Sequence, residues 1–128
     1  MLSVLIVDDE PQIVSLVRAT LEDDRVWIAE AADGYGALQL AELLRPDVVL
    51  LDVHMPGLDG VEVCRRLKTD PRLQRAKIIM LTAAVQAEDQ RRGLEAGADH
   101  YLTKPFSPLR LLTLIQSLLP GCIAWNPR

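Results

Sequence analysis

Five times along these 128 residues a short apolar run gives way to a longer segment whose apolar residues recur every three or four positions. The runs are too short for typical helices and rich in β-branched residues. They read as strands, and Val48-Val49-Leu50-Leu51 reads as one buried on both faces. The longer segments are amphipathic helices, each with one face to bury. Strand and helix in alternation specify a parallel sheet covered by helices on both faces.

The first strand is expected at Leu2 to Val7, followed by Asp8-Asp9-Glu10 and a helix that Pro11 starts and that carries Ile13, Val17 and Leu21 on one face. The second is Val26 to Glu30. Asp33 and Gly34 then open a helix through Leu44 with Leu40, Leu43 and Leu44 facing inward, stopped by Pro46. The third strand is Asp47 to Leu51, with Asp52 at its end, and the tight turn Met55-Pro56-Gly57 feeds a helix to about Lys68. Asp59 and Glu62 have the spacing of a capping box for that helix, and Val61, Cys64 and Leu67 the spacing of a core face. Asp70-Pro71 is a loop signal. The fourth strand, Lys77 to Leu81, ends at Thr82. A polar helix from Gln86 to Ala96 follows, with Gly93 inside it and Gly97 after it, and should be loosely anchored. The fifth strand is His100 to Leu102. Thr103-Lys104-Pro105 breaks it, and Ser107-Pro108 starts a last helix whose Leu111, Leu112, Leu114, Ile115, Leu118 and Leu119 cover an arc roughly 160° wide, more than a minimal core stripe. We take 1–120 as the domain and 121–128 as a tail.

A net charge of -4 and the lack of a basic stripe argue against direct nucleic-acid binding. Cys64 and Cys122 are far apart in the chain and show no metal-ligand pairing, which indicates a reducing compartment. Two acids follow the apolar amino terminus at once, and no segment is long enough to span a membrane. A cytoplasmic protein is expected.

In such a sheet, ligands and reactions sit at the carboxyl ends of the strands. There the chain places Asp8 and Asp9, Asp52, Thr82 and Lys104, one kind of group per strand end. Taken singly, each has an ordinary surface reading. If the first and third strands are neighbours, three carboxylates share a small volume, and a hard divalent cation relieves their repulsion; Mg²⁺, with oxygen ligands, suits them better than zinc. Acids, a cation, a hydroxyl and an ammonium are what phosphoryl transfer needs. Asp52 would attack in line, and Thr82 and Lys104 would hold the phosphoryl oxygens.

The segments VDDE at 7–10, LLDVHMPGLDG at 50–60, LTA at 81–83 and LTKPF at 102–106 occur in an order and spacing that closely resemble the receiver domain of two-component response regulators, the CheY-like fold. The resemblance implies an α/β, doubly wound, flavodoxin-like sheet of five parallel strands in the CheY-like order 2-1-3-4-5. It implies Asp52 as phosphoacceptor for the phosphohistidine of a sensor histidine kinase or histidine phosphotransfer protein. It further implies Mg²⁺ or Mn²⁺ bound by Asp9 directly, by Asp8 through water, by Asp52 and by the backbone carbonyl of His54. Thr82 and Lys104 become the phosphoryl-binding pair, and the Lys104-Pro105 bond is cis. Thr82 and Tyr101 become the switch that alters the surface of the fourth helix, fifth strand and last helix for a downstream target or output domain. Such a domain assists its own phosphorylation without turning over external substrates.

Two flanking positions that vary in the family hold His54 and Ala84 here. Ala84 cannot orient a hydrolytic water, so a long-lived phosphoaspartate is expected; for His54 the simpler reading is an exposed loop residue. An aspartyl-nucleophile phosphatase would want a second Asp where His54 stands, and a flavin module a phosphate-binding loop where Asp8-Asp9-Glu10 stands. A docking module independent of phosphorylation and a phosphorylation-linked dimer through the last helix both stay open.

Overall fold

The computed structural model describes residues 2–23, 25–55, 57–83 and 87–120, and side chains outside 87–90. Its order is β1 (Leu2–Val7), α1 (Pro11–Leu21), β2 (Val26–Ala31), α2 (Gly34–Leu44), β3 (Val48–Asp52), α3 (Gly60–Thr69), β4 (Lys77–Thr82), α4 (Ala87–Glu95), β5 (His100–Thr103) and α5 (Pro108–Leu118). All strands are parallel, in the order β2-β1-β3-β4-β5. The fold expected from the resemblance is the one observed.

Alternation along the buried strands divides the core in two. Leu5, Val7, Val49 and Leu51 face one way, onto Ala37 and Ala41 of α2, Val61, Cys64 and Leu67 of α3, and Ala96. Val4, Ile6, Val48 and Leu50 face the other, onto Ile13, Val17 and Leu21 of α1 and Leu111, Leu112 and Ile115 of α5. Leu114, Leu118 and Leu119 are only partly buried, so the apolar arc of α5 is wider than its core contact.

The helix ends follow their sequence signals. Asp33 accepts the Gly36 N–H, Asp59 the Glu62 N–H and Ser107 the Arg110 N–H. Arg45 turns left-handed at φ 46° and its N–H returns to the Ala41 carbonyl, which ends α2 before Pro46.

Three expectations are corrected. Leu43 is 80% exposed, and α2 packs through Gly34, Ala37 and Ala41 with Leu38 and Leu40 beside them. The helix lies too close to β1 and α3 for three leucines; a Cβ on Gly34 would already overlap Leu58 and Val63. Glu62 does not complete a capping box, because its carboxylate pairs with Arg65 and Arg66 instead. Asp47 precedes β3, with its carboxylate on the Ser3 N–H at 2.9 Å. In α4, Gly93 is the buried residue among those whose burial is described, and Ala96 is buried just after the helix, which fits the expected shallow anchoring; Arg92 ties that helix to Asp59 at 3.2 Å. Cys64 is buried and its thiol is pushed up to about 11 by desolvation. Ala84, Cys122 and the rest of the tail lie outside the described residues. No helix among the described residues is long and apolar enough to cross a membrane.

Candidate functional site

Parallel register brings four strand ends to one level. Val7 pairs with Leu51 and Asp52 with Leu81, so Asp8, the next residue after β1, reaches the height of Asp52, and Thr82 closes β4 one residue beyond. Lys104 follows β5, its N–H on the Thr82 carbonyl at 2.7 Å, and its bond to Pro105 is cis. The loop after Asp52 is pinned by Val53 N–H to Leu81 O at 2.9 Å and Gly60 N–H to Val53 O at 3.0 Å. Gly57 takes φ 79° in that turn, and a Cβ on Gly60 would overlap the Asp52 carbonyl oxygen, so both need glycine.

The Lys104 ammonium is the hub. It lies 2.8 Å from Asp8 Oδ2, 2.8 Å from Glu10 Oε1 and 3.5 Å from Asp52 Oδ2. Asp8, Asp52 and Thr82 are the buried polar side chains among the described residues. Asp52 Oδ1 accepts the His54 N–H at 3.2 Å, and Asp8 Oδ1 the Glu10 N–H at 2.9 Å. Asp8 Oδ2 is close enough to the ammonium for an ion pair, but no donor is aligned with it as in a hydrogen bond. It is a buried carboxylate oxygen with acceptor capacity left over.

Burial pushes the Asp52 carboxyl above the usual range; the Lys104 charge opposes this and the Asp8 charge adds to it. For Lys104, desolvation works against the charged form, but its close contacts with the Asp8 and Glu10 carboxylates and the charge of Asp52 outweigh it, and the ammonium is held above its ordinary value.

Oxygens of Asp8, Glu10 and Asp52 lie within 4.8 Å of one another. The carboxylate oxygens of Asp8 and Asp52 in this cluster are donors that fit a hard divalent cation such as Mg²⁺, and offer zinc neither nitrogen nor sulfur.

Of the residues singled out in the sequence, Asp8, Asp52, Thr82 and Lys104 come together. Asp9 does not join the three converging carboxylates: it is exposed and lines a shallow cleft with Pro11, Val14, Arg18 and Glu30. The chain bends at Asp9 and the Glu10 N–H turns back onto Asp8 Oδ1 at 2.9 Å, which brings Glu10 beside Asp8 and leaves Asp9 outside the cluster. Glu10 is the site residue that sequence reasoning missed; it had served there only as one of three acids at a helix start. The His54 side chain is exposed. Tyr101 stands apart from the carboxylates, half-buried against the core on the α3 side, with its hydroxyl over Gly93.

A doubly wound α/β domain with acids, a hydroxyl and an ammonium gathered at its strand ends defines a class, the phosphorylation-regulated signalling receivers. The sequence matches the response regulator receiver domain over residues 4–116, and the chain belongs to that family. It is 41% identical over 116 residues to RpaA of Synechocystis, described as a DNA-binding dual master transcriptional regulator, covering 91% of this chain and 48% of that protein. The chain thus spans about half the length of curated relatives such as RpaA. Among solved structures it resembles the chemotaxis protein CheY4 of Vibrio cholerae (TM-score 0.87, 37% identity, covering 93% of this chain and 99% of that one). It also resembles the receiver domain of the sensor histidine kinase PA1611 of Pseudomonas aeruginosa, solved with magnesium in its active site cleft (TM-score 0.83, 32% identity, covering 91% and 96%).

Proposed function

We propose that Asp52 is the phosphoacceptor of this receiver, charged by the phosphohistidine of a sensor histidine kinase or histidine phosphotransfer protein. The observation that carries this is the buried Asp52 carboxylate 3.5 Å from a lysine ammonium that buried Asp8 also holds. An Asp52 carboxylate oxygen attacks phosphorus in line; the phosphorus–nitrogen bond breaks and its electron pair returns to the imidazole nitrogen, leaving an aspartyl phosphate. Lys104 transfers an ionic contact to the new phosphoryl oxygens, and the Thr82 hydroxyl donates to one of them. Asp8, Asp9, Asp52 and the His54 carbonyl would hold Mg²⁺ or Mn²⁺, which when bound would neutralise charge on the phosphoryl oxygens. Among these, Asp8 and Asp52 belong to the converging cluster and Asp9 is adjacent in the chain.

Thr82 and Tyr101 then couple the phosphoryl group to the surface of α4, β5 and α5, where Leu94 and Leu109 are exposed and a downstream protein or output domain docks. The receiver unit is residues 1–120, it works in the cytoplasm, and it serves as a signalling module that assists only its own phosphorylation. RpaA binds DNA by its description; at a net charge of -4, we assign this domain no direct nucleic-acid contact.

The test is intact mass after incubation with Mg²⁺ and acetyl phosphate, beside Asp52→Ala. A gain of one phosphoryl group that needs both Mg²⁺ and Asp52 is expected. No gain in the wild type with Mg²⁺ bound would overturn the reading in favour of a docking module independent of phosphorylation.

A further inference from the structure

The phosphoacceptor reading uses Asp8, Asp52, Thr82 and Lys104 and leaves Glu10 without a task. Glu10 nevertheless holds the ammonium as closely as Asp8 does, at 2.8 Å, and more closely than Asp52 at 3.5 Å. Its backbone is anchored, since the Glu10 N–H is bound by Asp8 Oδ1 at 2.9 Å. Its carboxylate is not: the side chain is 43% exposed, and beyond Lys104 its hydrogen-bond partner among the described residues is the exposed Gln12 amide at 3.2 Å. A carboxylate oxygen of Glu10 lies within 4.8 Å of one of Asp52, and Glu10 is the exposed member of the three acids, at 43% against 0% for Asp8 and 8% for Asp52. A phosphoryl group on Asp52 would occupy that space and bring about two negative charges with it.

We propose that Glu10 is a gate on Lys104: in the unphosphorylated domain it engages the ammonium and covers the mouth of the site, and it must release the lysine and turn to solvent before a phosphoryl group can enter. Glu10 is therefore a positioning residue that sets how fast, and from which donors, Asp52 is charged. The inference rests on Asp52 being the phosphoacceptor. Two anions compete for one ammonium, and the loser must be the one that can reach water. Asp8, with its side chain fully buried, cannot turn away, whereas Glu10 can. The gate is electrostatic, so it opposes doubly charged donors more than singly charged ones.

The experiment compares wild type with Glu10→Gln and Glu10→Ala, each at saturating Mg²⁺, following phosphorylation by intact mass. Acetyl phosphate, a dianion at neutral pH, and phosphoramidate, largely a monoanion, are the donors. Both variants should be charged about tenfold faster than wild type by acetyl phosphate, as expected for losing one partly screened like charge. With phosphoramidate the gain should be at most about threefold. A purely structural role for Glu10 would not produce that dependence on donor charge. Calorimetric Mg²⁺ titration of the unphosphorylated proteins supplies a readout apart from transfer: an affinity reduced by less than about tenfold is expected, as for losing one partly screened charge and not a ligand. Rates within twofold of wild type for both donors overturn the gate. So does slower charging together with a Mg²⁺ affinity reduced tenfold or more, which would make Glu10 a metal ligand. If the wild type is not phosphorylated by either donor, the failure lies with the reading of Asp52 and not with Glu10.

Discussion

Replacing Lys104 with Met keeps most of the side chain's volume and removes the ammonium, and the structure sets the cost. The Asp8 side chain is fully buried and that of Asp52 is 8% exposed, so both would face each other in the metal-free domain with no cation between them. Removing one partner of a buried ionic cluster costs about 3–5 kcal/mol, because a desolvated charge is left uncompensated. Glu10 is 43% exposed and can turn to water, which places the expected loss near the lower end, about 3 kcal/mol. For a domain of this size, with a urea slope of about 2 kcal/mol per molar, the unfolding midpoint should fall by about 1.5 M. The measurement is urea denaturation followed by circular dichroism in EDTA at pH 7. Adding Asp52→Asn to Lys104→Met should recover a large part of the loss, since it removes one of the two stranded charges. A loss under about 1 kcal/mol, or no recovery in the double variant, would refute the view that Lys104 is the hub of the resting site.

Asp52→Asn alone should stabilise the metal-free domain at neutral pH. The Asp52 carboxyl is raised from its ordinary value of 3.8, so the folded state binds that proton more tightly than the unfolded chain does. This contribution is fully present below the ordinary value and is lost as pH rises through the raised one, so the advantage of Asn over Asp should shrink as pH falls from about 7 towards about 4. Parallel urea midpoints for the two proteins across that range would refute it. Gly93→Ala would put a Cβ into the Tyr101 hydroxyl, the far end of a side chain that can swing aside. Stability should change by less than about 1 kcal/mol, since alanine's helix preference offsets the lost contact, while the Tyr101 ring resonances in an NMR spectrum should shift strongly; unchanged resonances would show that the ring does not rest on α4.

Much of the fold was legible because the strands carry two independent signals, apolar runs of strand length and a turn or helix start directly after each. Errors gathered where one signal was absent. Hydrophobicity points to leucines on the inward face of α2, but close packing on β1 and α3 puts Gly34, Ala37 and Ala41 there, with Leu38 and Leu40 partly buried beside them and Leu43 in solvent, a steric limit set by partners distant in sequence. The capping box failed at Glu62 for a related reason: Arg65 and Arg66, three and four residues on, compete for the same carboxylate at helical spacing.

The acidic end of β1 shows what single-residue reading of a site leaves out. Asp8, Asp9 and Glu10 look equivalent as letters, and helix-dipole reasoning treats all three alike. A turn separates them: the chain bends at Asp9 and the Asp8 carboxylate takes the Glu10 N–H, so 8 and 10 meet at Lys104 and 9 stays exposed. Lys104, itself identifiable only from the strand end it follows, then selects the pair on its side, at 2.8 Å each. The turn itself was a legible signal: an Asp carboxylate can accept the N–H two residues on, and Asp8 does so from Glu10 at 2.9 Å, which sets Glu10 beside it. Burial then gives the two acids different parts. Asp8, its side chain fully buried, stays on the ammonium, whereas Glu10, 43% exposed, is the partner that can leave it for water.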